Sequence, residues 1–214
     1  MNILITGVHG FVGSNLVKHL SPDNTIYGLD IVAPEKEGVA RTFSWDDLES
    51  PDFPEIDAVI HLAGKAHDTR NKSAADVYFK VNTGLTQRIF DWFLARPKAS
   101  RFIFFSTVKS AADYVPGDIL TEEWVPTPVG PYGESKIKAE NYIIEHFAPE
   151  AMARPFHNFD DSDSIVPGKK VYILRPCMIH GPGNKGNLNL LYGVVKKGIP
   201  WPLGAFENRR SFTS

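Results

Sequence analysis

The stretch "PYGESK", residues 131–136, sets a phenol and an ammonium four positions apart, so on a helix Tyr132 and Lys136 share one face. A tyrosine titrates near pH ~10, but a fixed cation within ~4–6 Å favours the phenolate and brings the group into range for proton transfer. The same spacing recurs in "YGVVK", Tyr192 and Lys196, so spacing alone does not choose between the two pairs. The elements that carry them must decide.

Short β-branched and apolar runs alternate with longer stretches of helical period. The runs are "NILIT", "TIYGL", "AVIHLA", "RFIFFS" and "KVYIL"; the helical stretches fall near residues 11–20, 75–96, 132–147 and 188–197. Strands buried on both faces and separated by helices predict a parallel sheet covered on both sides, a doubly wound α/β domain. Residues 148–170, rich in Pro, Asp and Ser, read as a surface loop. Tyr132 thus opens a helix after the fifth strand, whereas Tyr192 follows the sixth.

"TGVHGFVG" comes directly after the first strand and places Gly7, Gly10 and Gly13 at the three glycine positions of a turn that opens a helix. Such a turn lets the backbone approach a pyrophosphate, which sits on helix N–H groups at the positive end of the macrodipole. Asp30 closes the next strand, where an acid hydrogen-bonds a ribose 2′-hydroxyl and repels a 2′-phosphate. These residues predict a bound NAD rather than NADP. His9, inside the turn, is expected to be an exposed loop side chain.

Composition narrows the rest. A chain of 214 residues, 43% hydrophobic and 22% charged, suits one full-sized core. A formal charge of −2 offers no general attraction to nucleic acid or to an anionic membrane. The single cysteine, Cys177, excludes an internal disulfide, and the chain shows neither a signal peptide nor an apolar run of ~18 residues. A cytoplasmic protein is expected. Cys177 and His180 have metal-ligand spacing, but too few further ligands stand near them for a zinc site, and no metal is expected.

Taken together, the glycine turn, "HLAG" after the fourth strand, "FFST" after the fifth and Tyr-x-x-x-Lys beyond it resemble the extended short-chain dehydrogenase/reductase family, in particular its NAD-dependent epimerase/dehydratase branch. The resemblance implies a Rossmann-type sheet with the NAD-binding domain over residues 1–180 and the start of a substrate region over 181–214. It implies Thr107, Tyr132 and Lys136 as the catalytic set: Tyr132 takes the proton of a sugar hydroxyl, Lys136 lowers its pKa and holds the nicotinamide ribose, and Thr107 fixes the sugar oxygen. Around the cofactor it places Gly7, Gly10, Phe11, Val12, Gly13, Asp30, Leu62, Ala63, Gly64, Ser106, Tyr132, Lys136 and Pro176. Asn82 reads equally as a cofactor-side residue or as a polar residue of a helix interior. Thr107, Asn187 and Arg210 would meet the substrate.

The resemblance also implies a nucleotide-sugar substrate, UDP-linked, with redox at the sugar C4, either 4-epimerisation or 4-keto reduction in surface-polysaccharide synthesis. Val108 and Lys109 stand where dehydratases and decarboxylases carry acids. The assembly is left open, a homodimer among the arrangements the resemblance allows. Two departures count against a simple transfer. Ser44 stands where the family often has an adenine-side acid, leaving Trp45 or Asp46 to take that place, and the chain stops at "RRSFTS" where relatives continue. A fragment or shortened form is expected, and the alternative function is an NAD-binding regulatory module without turnover. A hydrolase of α/β type would carry a G-x-S-x-G elbow, and none occurs in the sequence.

Overall fold

The computed structural model describes residues 1–32, 34–66, 74–115, 117–154, 157–184, 187–198 and 211–214, with residues 187–190 by backbone alone. The apolar runs form strands β1 (Asn2–Thr6), β2 (Thr25–Leu29), β3 (Arg41–Phe43), β4 (Ala58–His61), β5 (Arg101–Phe105) and β6 (Lys170–Leu174). They pair in one parallel sheet of order β3-β2-β1-β4-β5-β6. The order reverses between β1 and β4, and in open α/β sheets ligands bind outside the carboxyl ends of the strands at such a switch point. β3, only three residues long, is too short to stand out as a periodic run in the sequence.

Register aligns Leu29, Thr6, His61 and Phe104 across four strands. The next residue on each chain, Asp30, Gly7, Leu62 and Phe105, therefore lies along one carboxyl edge. That edge gathers residues far apart in sequence.

Helices α1 (Phe11–Leu20), α2 (Ala75–Tyr78), α3 (Leu85–Ala95) and α4 (Gly130–Phe147) supply the crossovers. α2 and α3 are joined by a π-helical turn, Phe79–Gly84, so the expected helix near residues 75–96 carries one widened turn. Such turns are rare and recur at functional sites. On one face of the sheet Phe90, Phe93, Phe102 and Phe147 are fully buried with Leu4, Leu48 and Ile143. Each side chain of that size stabilises the fold by about 1.5–3 kcal/mol relative to exposure. Ile3, Ile5, Val8, Val17 and Ile26 form the smaller core under α1.

Lys169, at the start of β6, donates to the carbonyls of Phe93, Arg96 and Ala99 at 2.9, 2.7 and 2.7 Å. Its ammonium thereby ties the end of α3 and the turn that follows it to the start of β6, sharing the Phe93 carbonyl with the Arg96 N–H. The loop of residues 148–170 is less irregular than its composition suggests. It contains two 3-10 turns, Pro149–Ala153 and Asp161–Asp163, and Arg154 donates to Asp163 there.

The chain divides into two compact units, Met1–Arg175 and Pro176–Ser214. In the second, β7 (Met178–Ile179) pairs in parallel with β8 (Phe212–Thr213), and α5 spans Asn187–Lys196. Among the described residues no helix is long and apolar enough to cross a membrane.

Candidate active site

The glycine turn forms as its spacing requires. Gly7 adopts φ +70, a conformation open to glycine and strained for L side chains, and its N–H donates to the Leu29 carbonyl. A Cβ on Gly7 would lie 3.0 Å from the Ala63 backbone and 3.2 Å from Leu62, so the turn packs directly on the residues that follow β4. A Cβ on Gly13 would lie 2.5 Å from the Gly7 carbonyl oxygen, so the helix and the turn touch backbone to backbone. Gly10 caps α1 without a side chain, leaving the first N–H groups of the helix, at Phe11 and Val12, free of any side-chain cap. This is an anion-binding cradle by construction.

Asp30 is half-buried at the edge of the cradle, and its carboxylate accepts from the backbone N–H of His9 at 3.0 Å and of Ile31 at 2.8 Å. His9 is not the exposed side chain its loop position suggested: its ring is half-buried, with Nε2 shielded from water and without a hydrogen-bond partner. Packing of the turn against β2 and β4 draws it in. In the 3-10 turn that follows β3, Trp45 is 8% exposed and belongs to the core, while Ser44 and Asp47 cap that turn. Asp46 alone of the expected adenine-side substitutes faces solvent.

Beneath the turn runs a buried hydrogen-bond chain that sequence reading missed. Thr86 Oγ1 donates its one proton to the Asn82 carbonyl at 2.6 Å, so it accepts from His61 Nε2 at 2.9 Å. His61 Nδ1 is then an acceptor, and Thr6 Oγ1 donates to it at 2.6 Å while receiving the N–H groups of Leu62 and Ala63. Burial, and next the charge of Lys136, push the His61 pKa well below the usual histidine value, keeping the ring neutral.

Asn82 is fully buried in the π-helical turn. Its amide accepts from the Lys65 N–H at 2.7 Å and donates to the Lys65 carbonyl at 3.1 Å and to Ser135 Oγ at 2.9 Å. Gly64 lies beside it: a Cβ there would come within 3.1 Å of Asn82 Oδ1 and 3.3 Å of Lys136 Nζ.

Tyr132, Lys136 and Thr107 meet at the end of β5. Tyr132, in the first turn of α4, has the Thr107 side chain beside its phenol, and its ring meets Tyr78 edge-on at 6.4 Å. Burial raises the phenol pKa above its ordinary value, and the Thr107 side chain only partly opposes it. Lys136 does not face the phenol in the manner expected of the pair. Its ammonium is buried, donates to the Phe105 carbonyl at 2.9 Å and lies 4.7 Å over the Phe104 ring. Burial lowers its pKa to about 8, opposed by the charge of Glu140.

Glu140, one more helical turn along, was also missed. It is fully buried and accepts from Ser106 and Ser110 and from Arg175 Nε and Nη2, the last two at 3.0 and 2.6 Å. The available signal was the repeat of polar residues 132, 136 and 140 on one face of a helix whose other buried positions are apolar or small.

Of the remaining expected site residues, Pro176 opens the second unit, while the side chain of Asn187 and the whole of Arg210 lie outside the described residues. Tyr192, on α5, is exposed and has no counterpart of the Thr107 contact among the described interactions. Cys177 Sγ lies 2.9 Å from Thr213 Oγ1, and among the described residues no cluster of three His, Cys, Asp or Glu side chains could hold a metal ion.

Comparison with known proteins places this geometry among relatives. The profile described as "NAD dependent epimerase/dehydratase family" matches residues 3–199. A UDP-glucose 4-epimerase of Vibrio cholerae is 32% identical over 223 residues, an alignment covering 100% of this chain and 62% of that protein. A GDP-6-deoxy-D-mannose reductase of Pseudomonas aeruginosa is 28% identical over 174 residues, covering 78% of this chain and 54% of the relative. Among solved structures, MoeE5 in complex with UDP-glucuronic acid and NAD superposes with a TM-score of 0.66 at 25% identity, over 87% of this chain and 58% of the other. The chain thus spans between half and two thirds of the length of these relatives.

Proposed function

The chain belongs to the NAD-dependent epimerase/dehydratase family, and from that premise we propose that it is the cofactor-binding part of a nucleotide-sugar oxidoreductase acting at the sugar C4, as a UDP-hexose 4-epimerase or a UDP-acetamido-sugar 4-ketoreductase. The observation that carries this reading is the placement of the Tyr132 phenol beside the Thr107 side chain, next to the buried Lys136 ammonium. It supplies a proton-transfer group, an orienting hydroxyl and a cation at the carboxyl end of β5.

The residues present fit NAD. A dinucleotide's pyrophosphate needs close backbone approach, and the turn offers it: Gly7 packs backbone to backbone on Ala63, and Gly10 puts no side chain over the first N–H groups of α1. Asp30 closes β2 with a carboxylate suited to a ribose diol and unsuited to a 2′-phosphate. Leu62, Ala63, Gly64 and Ser106 border the same edge, and Lys136 would hold the nicotinamide ribose. The bound dinucleotide supplies hydride acceptance and return.

The protein's own residues then handle the proton. Tyr132, neutral because burial raises its pKa, is in the form that delivers a proton to a keto oxygen at C4. In the opposite direction it must become phenolate, a form that the Thr107 side chain favours against the burial that opposes it. Thr107 holds the same oxygen in place. Asn187 and Arg210 would meet the substrate diphosphate. The relatives named for UDP-glucose epimerisation and for UDP-glucuronic acid binding support a UDP-linked substrate.

Fluorescence titration with NADH and NADPH tests the cofactor half, with NADH expected to bind at least ~10-fold more tightly. Equal or tighter NADPH binding overturns it. Absorbance at 340 nm with NADH and 4-keto nucleotide sugars tests the substrate half. Binding without turnover in the full-length parent would favour an NAD-binding module instead.

A further inference from the structure

Glu140 has no place in the proton-transfer scheme, yet it is fully buried with a charge, which is costly unless the charge is paired and hydrogen-bonded. Its partners all belong to the machinery. Ser106 directly follows Phe105, whose carbonyl receives Lys136 Nζ at 2.9 Å. Ser110 Oγ lies within hydrogen-bond reach of both Glu140 and the Thr107 carbonyl, at 2.6 and 2.7 Å. Arg175, at the end of β6, reaches across with two nitrogens. Glu140 also follows Lys136 by four residues on α4, so the two charges sit on one helix face.

We propose that Glu140, held by Arg175, is a positioning residue for the Thr107, Tyr132 and Lys136 set: it clamps the turn after β5 onto α4 and keeps Lys136 cationic and aimed at the Phe105 carbonyl. This rests on the reading of Lys136 as the ribose-binding lysine. The charged or titratable groups that face the pair are His61 from β4, Arg175 from the end of β6 and Tyr132 on α4 itself. Ser106 and Ser110 from the turn, and Asn82 from the π-helical turn, are neutral. His61, kept neutral by burial and by the Lys136 charge, brings no charge of its own to its neighbour. Glu140 is therefore the group whose charge sustains the Lys136 ammonium, whose pKa of about 8 is already lowered by burial.

The test compares the parent chain with Glu140→Gln and with Glu140→Gln/Arg175→Gln, the second removing the guanidinium left without its partner. Melting followed by circular dichroism establishes that each variant folds. NMR of the lysine side-chain resonances, with the Lys136 signal assigned through Lys136→Arg, reads the titration midpoint without cofactor. The midpoint is expected near about 8 in the parent and roughly one pH unit lower in both variants, a tenfold change in the protonated-to-neutral ratio. NADH titration adds a second readout: affinity near that of the parent at about pH 6, and about fivefold weaker at about pH 8. An unmoved midpoint overturns the proposal, as does equal weakening at both pH values, the result of a purely structural clamp. Failure of the parent to bind NADH would refute the cofactor reading while the NMR midpoints still decide the role of Glu140.

Discussion

The amide of Asn82 donates to Ser135 Oγ at 2.9 Å, tying the π-helical turn to α4 one residue before Lys136. Thr83 Oγ1 adds a second link, donating to the Ser135 carbonyl at 2.9 Å. With Lys65 held by the same Asn82, three segments distant in sequence are fixed around the end of the Lys136 side chain. An exposed asparagine could not do this, because water would compete for each bond.

The glycines of the turn are expected to separate by mutation. Gly13→Ala puts a Cβ 2.5 Å from the Gly7 carbonyl oxygen and 2.9 Å from Val8 Cα, rigid backbone that must shift. Denaturant melts should show a loss of about 1–3 kcal/mol, the range for overpacking. Gly10→Val meets only the Gly7 oxygen at 3.1 Å, so it should keep the fold and lose NADH affinity by at least ~10-fold. Parent-like melting of the first, or parent-like binding by the second, contradicts the cradle.

Tyr132→Phe should retain NADH binding and, in a turnover-competent full-length protein, lose activity by ~10²–10⁴-fold. Tyr192→Phe removes the same hydroxyl from an exposed position on α5 and should do much less. Steady-state rates of the two variants side by side provide an internal control. Equal losses would refute the assignment of Tyr132.

Lys136→Met exchanges stability against function. A fall in pKa from 10.5 to about 8 on burial corresponds to about 3 kcal/mol against the charged form. After the lost hydrogen bond to Phe105, a net gain of about 1–2 kcal/mol is expected at neutral pH. Below about pH 8 both folded and unfolded chains hold the proton and the full penalty applies. Between about 8 and 10.5 the unfolded chain binds the proton that the folded chain releases, so the parent gains stability with rising pH and the difference narrows. Chemical denaturation at several pH values measures this; a variant less stable than the parent at neutral pH, or one with undiminished NADH affinity, goes against it.

His61 predicts a slope of the same sign on the acid side. Its folded pKa lies well below 6.5, so as pH falls through ~6.5 the unfolded chain takes up a proton the buried ring refuses, and stability declines. His61→Leu should remove that decline but cost about 1–3 kcal/mol at neutral pH, because Thr6 and Thr86 lose their partner. Melting temperatures from about pH 5 to 8 distinguish the two effects. A parallel pH profile in parent and variant would show that His61 is not the group responsible.

Local patterns made much of the fold legible. β1, β2 and β6 are short apolar runs whose bounds match the sequence reading, β4 and β5 begin where it placed them, and the glycine turn is specified by three residues whose missing side chains the backbone requires. Tyr132 was separated from Tyr192 by its place after β5. β3 was hidden because three residues carry no period, and the π-helical turn because its insertion leaves composition unchanged.

Sequence by itself determined the parallel α/β architecture and the glycine turn, since each rests on residues close along the chain whose spacing has local physical meaning, whereas it offered Tyr132–Lys136 and Tyr192–Lys196 at equal spacing. Tertiary structure alone decided what those residues touch. Lys136 points to the Phe105 carbonyl rather than the phenol, His9 is drawn inward, and Glu140 gathers Ser106, Ser110 and Arg175. These facts depend on sheet register and burial, which bring together groups 30 or more positions apart, and on the loss of water around them, which sets their charge. No window of the sequence contains either quantity.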